Sequence, residues 1–544
     1  MIYSLVLVLM LGFTTAVLAQ VPEPIRNPIL PGFNPDPCIV RTGEDYYIVT
    51  SSFEWFPGIP IYHSKDLINW KQIGHVLTRQ SQLNMRGTAD SDGIFAPAIT
   101  YHNGLYYVMF TNVQDGVNWS LKGYPNYIVT AKDPAGPWSE PVQVDALGFD
   151  PSLFIDEDNK AYVLYRYFDH RPGQSASPGI GMYALDLKTL KPIGMPKFIY
   201  SGWNKRSAEG PKMLKKDGYY YLFTAEGGTG YTHYQAVARS KAIWGDYERG
   251  PQILYSAAQD SLLPIQKAGH GTLFTSTDGT WYTTHLGSRP THTLGSNPLG
   301  RETFIQKIIW TADGWPQLAS GGITPQQFVT APSGKALAMP AVKVFRDEFN
   351  APQLDSRYQF LREPATADWL SLSSPQGELA LKGRRALGSR YDQSLVAQRV
   401  TSFNQQFETA LRFQPLDFRH AAGLTCYYDT KSFYALAFSY EEGRGQVLNL
   451  VAVDRKYEVV ATVDLPSGTE KVFMRLNILK DKLQFSYSVD AQQWHGIGAA
   501  LDFNKISDDY NNGYTGAMVG LFAQDIMFEN RWASFDYFEL KDNE

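Results

Sequence analysis

A turn followed by an aromatic strand, repeated five times in the first half of the chain, narrows the architecture more than any other feature. It reads Gly43-Glu-Asp-Tyr-Tyr-Ile-Val, Asn103-Gly-Leu-Tyr-Tyr-Val, Asp158-Asn-Lys-Ala-Tyr-Val-Leu, Asp217-Gly-Tyr-Tyr-Tyr-Leu and Asp278-Gly-Thr-Trp-Tyr. Such turns favour tight hairpins, and the aromatic and β-branched runs after them favour pleated strands. Taking Tyr46, Tyr106, Tyr162, Tyr219 and Trp281 as markers, the steps are 60, 56, 57 and 62 residues. Each step holds four short strands with their loops. Helical periodicity of any length is absent, so the spacing predicts an all-β, five-bladed β-propeller closed around a central channel.

The chain has 544 residues, more than one propeller needs. From residue 331 it runs Ala-Pro-Ser-Gly-Lys-Ala-Leu-Ala-Met-Pro, a linker-like stretch without strand alternation. Beyond it, short alternating strands such as Phe407-Glu-Thr-Ala-Leu-Arg-Phe and Val472-Phe-Met-Arg-Leu-Asn-Ile predict a C-terminal β-sandwich of the concanavalin/lectin-like kind. The expected division is an export signal over 1–19, the propeller over 20–330, a linker over 331–343 and the sandwich over 344–544.

The export signal rests on a short apolar core ending in small residues, Val17 and Ala19. Lys and Arg are missing near Met1, which leaves an uncleaved anchor as the alternative. The reading is a secreted or periplasmic protein with no membrane association after cleavage. With 49 Lys plus Arg against 54 Asp plus Glu, no positive excess is present to bind nucleic acid. Cys38 and Cys426 fall in different predicted domains and read as buried free thiols. A homo-oligomer is compatible with the sequence, which does not decide the point.

The chemistry emerges about ten positions ahead of each marker, where the preceding strand begins. These places hold Asp36, Ala96, Asp150, Glu209 and His270, in Asn-Pro-Asp-Pro, Ile-Phe-Ala-Pro, Phe-Asp-Pro-Ser, Ala-Glu-Gly-Pro and Gly-His-Gly. Any one of them could be turn punctuation. Four polar members in equivalent positions of rotationally related blades instead converge on the axis and gather three acids at one pocket. Cleavage of a glycosidic bond with inversion needs a carboxylate to activate water and a carboxylic acid to protonate the leaving oxygen. A third acid can keep the proton donor protonated. Neither a nucleophile elbow nor zinc-ligand spacing competes for the site.

Around these residues the chain resembles glycoside hydrolase family 43, in particular its two-domain β-xylosidase and α-L-arabinofuranosidase members. The resemblance spans nearly the whole chain after the export signal. It is carried by Gly32-Phe-Asn-Pro-Asp-Pro, Thr50-Ser-Ser-Phe-Glu-Trp-Phe-Pro-Gly-Ile-Pro, Gly93-Ile-Phe-Ala-Pro, Phe149-Asp-Pro-Ser-Leu-Phe, Ala208-Glu-Gly-Pro, Ala225-Glu-Gly-Gly and Leu286-Gly-Ser-Arg-Pro. It implies Asp36 as general base, Asp150 as the tuning acid and Glu209 as general acid. It further implies that Phe53, Phe95 and Thr229 line the sugar pocket and that Arg289 binds a hydroxyl near the acids. For the two phenylalanines, ordinary core packing is an equal alternative.

By the same likeness His270 sits on the axis beneath the pocket, as a hydrogen-bonded structural residue or as a contact to a central water or calcium ion. No cofactor is expected for the chemistry. Tyr514, in Asp508-Asp-Tyr-Asn-Asn-Gly-Tyr-Thr-Gly, is the aromatic that would reach from the sandwich and close the pocket. The implied activity is exo-acting, inverting release of xylose or arabinose from xylo-oligosaccharides and arabinoxylan. Lys212, Phe95 and Gly230 would each border the pocket; they depart from the family's commoner residues and leave the choice of sugar open. A non-catalytic carbohydrate-binding protein and a retaining fructan hydrolase are the alternative functions.

Overall fold

A computed structural model describes residues 24–114, 122–169, 171, 173, 175, 178–204, 208–332, 343–373 and 376–543. The export signal and most of the expected linker lie outside the described residues. The repeat resolves into five antiparallel sheets whose strands follow chain order from the axis outward. Their inner strands are Cys38–Thr42, Gly93–His102, Ser152–Ile155, Glu209–Lys216 and Gln266–Thr275. Each marker aromatic opens or immediately follows the opening of the second strand, where it pairs across the hairpin with the inner one. The ring is tied at its seam by Ile25–Arg26, which pairs with Phe328–Val329 after the fifth blade.

The C-terminal part is a sandwich of a nine-stranded and a six-stranded antiparallel sheet. Alternation along strands such as Lys471–Leu479 puts Val472, Met474, Leu476 and Ile478 inside and polar residues outside, the pattern of a sheet covered on one face. Both halves share one apolar core, in which Phe56, Ile59 and Leu77 of the first blade belong with Phe360, Trp369 and Val396 of the sandwich. The junction is also hydrogen-bonded, since Phe360–Leu361 adds a short strand to Trp55–Phe56 and the Arg399 guanidinium donates to the Phe33 carbonyl at 2.5 Å. Arg362 pairs with Asp90 at 2.7 Å across the same seam. Inner-strand ends of the first two blades are thereby braced by the second domain.

Burial holds four propeller histidines in the neutral form: His75 and His270 are depressed to about 3, His233 and His285 to about 4. An unfolded chain takes up protons at these sites below pH 6.5, so their contribution is complete above that pH and is lost as pH falls towards 3–4. Each adds a slope of up to about 1.4 kcal/mol per pH unit. His75→Gln, remote from the pocket described below, should flatten the fall of unfolding free energy between pH 6.5 and 4 by one proton's share. Denaturant titrations at a series of pH values check this, and parallel wild-type and variant curves would count against it.

Candidate active site

The five blades place Asp36, Ala96, Asp150, Gly210 and His270 at equivalent points, just ahead of the inner strand in two blades and at a bulge within it in three, and all five have left-handed φ, between 28° and 56°. Non-glycine residues adopt this conformation only where the surroundings enforce it, and such strain collects at functional sites. In the fourth blade the slot belongs to Gly210, one residue beyond the acid. What requires glycine there is space, because a Cβ would lie 2.8 Å from the His270 imidazole. The shift lets the Gly210 N–H donate to Asp150 Oδ2 at 2.9 Å while Glu209 projects into the same space.

A cavity of about 270 Å3 opens over this ring. Its size is at the lower end of ligand sites, right for one sugar ring with part of a neighbour. Asp36, Asp150, Glu209 and His270 form its polar floor, and Phe53, Phe95, Phe149 and Phe168 its walls, with Thr229 at the edge. Both expected phenylalanines therefore reach the pocket and also pack in a buried cluster that continues into the sandwich. Their two readings coexist.

The three carboxylates stand in different electrostatic surroundings. Burial works to raise Asp36, but Arg301 at 3.1 Å, His270 at 3.6 Å and the Ser51 hydroxyl, donating to Oδ2 at 2.6 Å, together hold it below the usual carboxylate range. Ser51 is itself fixed by the Ala96 N–H, which donates to its Oγ at 2.7 Å. Asp150 is pushed well above its ordinary value by burial, then by Glu209 and Asp36. Glu209 is also raised by burial, with Asp36 adding to the effect and Arg166 opposing it. Asp150 and Glu209 titrate as a pair that retains a proton where Asp36 is already ionised.

Two arginines complete the site, and motif reading singled out neither. Arg166, on the second strand of the third blade, contacts Glu209 Oε2 and lies over Phe149 and Phe168, 4.8 and 5.6 Å from their centroids. Arg301, just before the third strand of the fifth blade, is 3% exposed and binds both Asp36 and the Tyr514 carbonyl, the latter at 3.1 Å. Arg289 corrects the expectation. Its guanidinium forms a fork with Glu302, at 2.7 and 2.8 Å, and donates to the Thr401 carbonyl, so it joins the blade to the sandwich and is not among the pocket-lining residues. Glu302 is fully buried and needs that partner. Lys212 is a second correction: it faces a separate cavity beneath the ring, not the sugar pocket.

Tyr514 arrives as expected from the sandwich. The short helix Asp508–Asn511 ends in a left-handed Asn512, and Gly513 follows where any Cβ would be 2.2 Å from the Tyr428 hydroxyl. Tyr514 then stacks on Phe53 at 5.9 Å and meets Phe95 edge-on at 6.0 Å. Its N–H donates to Ser91 Oγ at 3.0 Å, so main-chain bonds at both ends hold the ring over the pocket.

Residues 25–316 match the glycosyl hydrolases family 43 domain, and residues 346–541 match the β-xylosidase C-terminal concanavalin A-like domain. A xylan 1,3-β-xylosidase from a Vibrio species is 44% identical over 95% of this chain and 98% of its own length. A xylosidase/arabinosidase from Humicola insolens is 40% identical, over 94% and 97%. The crystal structure of a xylan β-1,4-xylosidase from Bacillus halodurans C-125 superposes with a TM-score of 0.92 at 40% identity, covering 95% of this chain and all of that one. A glycosidase fold matched over both domains, with three acids at the propeller axis and an aromatic reaching them from the sandwich, identifies the chain as a member of glycosyl hydrolase family 43, an enzyme that hydrolyses O-glycosyl bonds.

Proposed function

We propose that the pocket is the active site of an exo-acting, inverting glycosidase that removes single xylose or arabinose units from xylan, arabinoxylan and their oligosaccharides. What most supports this reading is an ionised Asp36 facing a carboxyl pair, Asp150 and Glu209, that retains a proton, in a cavity sized for a single sugar. Asp36 takes a proton from a water that attacks the anomeric carbon on one face. Glu209 delivers its proton to the leaving oxygen on the other, and Arg166 stabilises the carboxylate that results. Charge at Asp150, steadied by the Gly210 N–H, keeps the proton on Glu209 until it is needed. Arg301 holds Asp36 ionised and in place. The apolar segment over residues 1–19 favours an exported enzyme acting in a periplasm or outside the cell.

Proton NMR during hydrolysis of nitrophenyl β-D-xyloside and α-L-arabinofuranoside tests the reading. The sugar should first appear in the anomeric form opposite to that of the substrate, and the ratio of kcat/KM values ranks the two sugars. Product with retained configuration would remove the inverting mechanism. A folded protein that binds xylo-oligosaccharides and cleaves neither substrate would be a binding protein.

A further inference from the structure

Two residues along each inner strand from the left-handed turn, the five blades place Cys38, Ala98, Ser152, Lys212 and Thr272, and all five line a second cavity of about 260 Å3 on the axis. Their equivalence follows from the period of two in a strand, which returns side chains to the axis one layer below the carboxylates. Four members of this ring are small and neutral. Lys212 is 8% exposed, and its Nζ has no hydrogen-bond partner among the described residues. Among the described residues, no Asp or Glu lines the cavity. The Ser152 hydroxyl donates to the Pro211 carbonyl at 2.6 Å and the Thr272 hydroxyl to the Pro37 carbonyl at 3.3 Å. Their lone pairs therefore remain available to water held by the ammonium.

A buried ammonium without a partner is costly unless negative charge lies nearby. Here that charge is the layer above, and the field of Lys212 reaches Asp150 and His270. Family likeness raised a calcium ion at His270, one layer above, and this lower ring does not extend such a site downward. Calcium takes six to eight oxygen ligands, usually with carboxylates among them. The ring offers a thiol, a methyl group, two hydroxyls and a competing positive charge, and does not fit the ion.

We propose that Lys212 is a positioning residue, the built-in axial cation that stands in place of a metal beneath the active site and keeps negative charge on Asp150 and the working proton on Glu209. It acts through Asp150 and does not touch the sugar. The other charged or titratable groups around that acid pair and the neighbouring Asp36 are Arg166, Arg301, His270, His233 and Tyr514. All remain when Lys212 is changed. Burial and the neighbouring acids push Asp150 upward, and Lys212 is the first of the opposing influences. Removing it shifts the shared proton towards Asp150 and makes the pair harder to deprotonate as a whole.

The inference rests on the catalytic reading above, and the two fail separately: loss of that reading shows in Glu209→Ala, loss of this one in Lys212 variants alone. Lys212→Met should lower kcat for xylobiose, whose leaving group needs the acid, about tenfold with KM little changed, and move the alkaline limb of that kcat profile up by about 0.5–1 pH unit. Lys212→Arg should restore most of both. Lys212→Gln replaces the methionine variant if thermal unfolding shows that methionine destabilises the fold. Calorimetric titration of the wild type with calcium chloride should give no binding heat, and a chelator should leave the limb unmoved. A folded neutral variant with the wild-type kcat and profile would overturn the proposal, as would a wild type whose alkaline limb moves when a chelator is added and returns with calcium.

Discussion

Asp36→Ala should lower kcat about a hundred- to ten-thousand-fold on every glycoside, whatever its leaving group, because activation of the water is needed for all of them. Glu209→Ala should lose as much on xylobiose yet far less on a nitrophenyl glycoside, whose phenolate departs with little help from a proton. The contrast distinguishes base from acid within one pocket. Steady-state kinetics of the two variants on both substrates measure it, with circular dichroism confirming the fold. Equal sensitivity of the two variants to the leaving group would mean that the roles have been assigned to the wrong carboxylates. A wild-type rate in Asp36→Ala would remove the base altogether.

The second large effect is expected far from the acids. Lys267, in the inner strand of the fifth blade, is 2% exposed and pairs with Asp509 at 2.7 Å and Asp508 at 3.2 Å, on the helix that leads into Tyr514. Asn297 adds to the clasp by donating to Asp509 from both its main chain and its side chain. Asp508 is raised to about 6, by burial first and with Lys267 opposing. Lys267→Met removes the cation and leaves a buried carboxylate uncompensated, which costs about 3–5 kcal/mol. The arm should loosen, and KM should rise about tenfold through loss of the aromatic contacts to Phe53 and Phe95, worth about 0.5–1.5 kcal/mol each. Calorimetry and initial rates report the two effects, with Tyr514→Ala as the control in which KM rises and the melting temperature holds. A stable Lys267→Met protein with wild-type KM would show that the clasp is not what seats the arm.

The propeller was legible because a closed ring repeats its constraints: the hairpin turns at Gly43, Asn103, Asp158, Asp217 and Asp278 recur with every blade. The same regularity exposed the acids, since Asp36, Asp150 and His270 occupy one strained backbone slot. It misplaced the fourth member by one position, because the slot there demands glycine and the acid stands beside it. The arginines were harder to read. Leu286-Gly-Ser-Arg and Leu299-Gly-Arg look alike in sequence, and only the packing reveals that Glu302 takes Arg289 while Arg301 turns to Asp36. The buried Glu302 directly after Arg301 was the available signal, as an acid that would need a cation of its own. Lys212 lay two places beyond Gly210, and its layer could have been counted from the strand period. Which cavity it faced depended on the axial packing.

Tyr514 closes over a pocket whose floor is the axial ring, and that limits how a polymer can be worked on. Only a chain terminus or a side branch can thread into such a dead end, and the freed sugar must leave by the opening through which the substrate came. The shortened chain stands in that opening after cleavage. It must therefore withdraw before the next round, so successive cuts are made on separate visits and not by sliding along one strand. Rates on long and short substrates should then converge once the number of chain ends is equal, and debranched fragments should build up gradually and together.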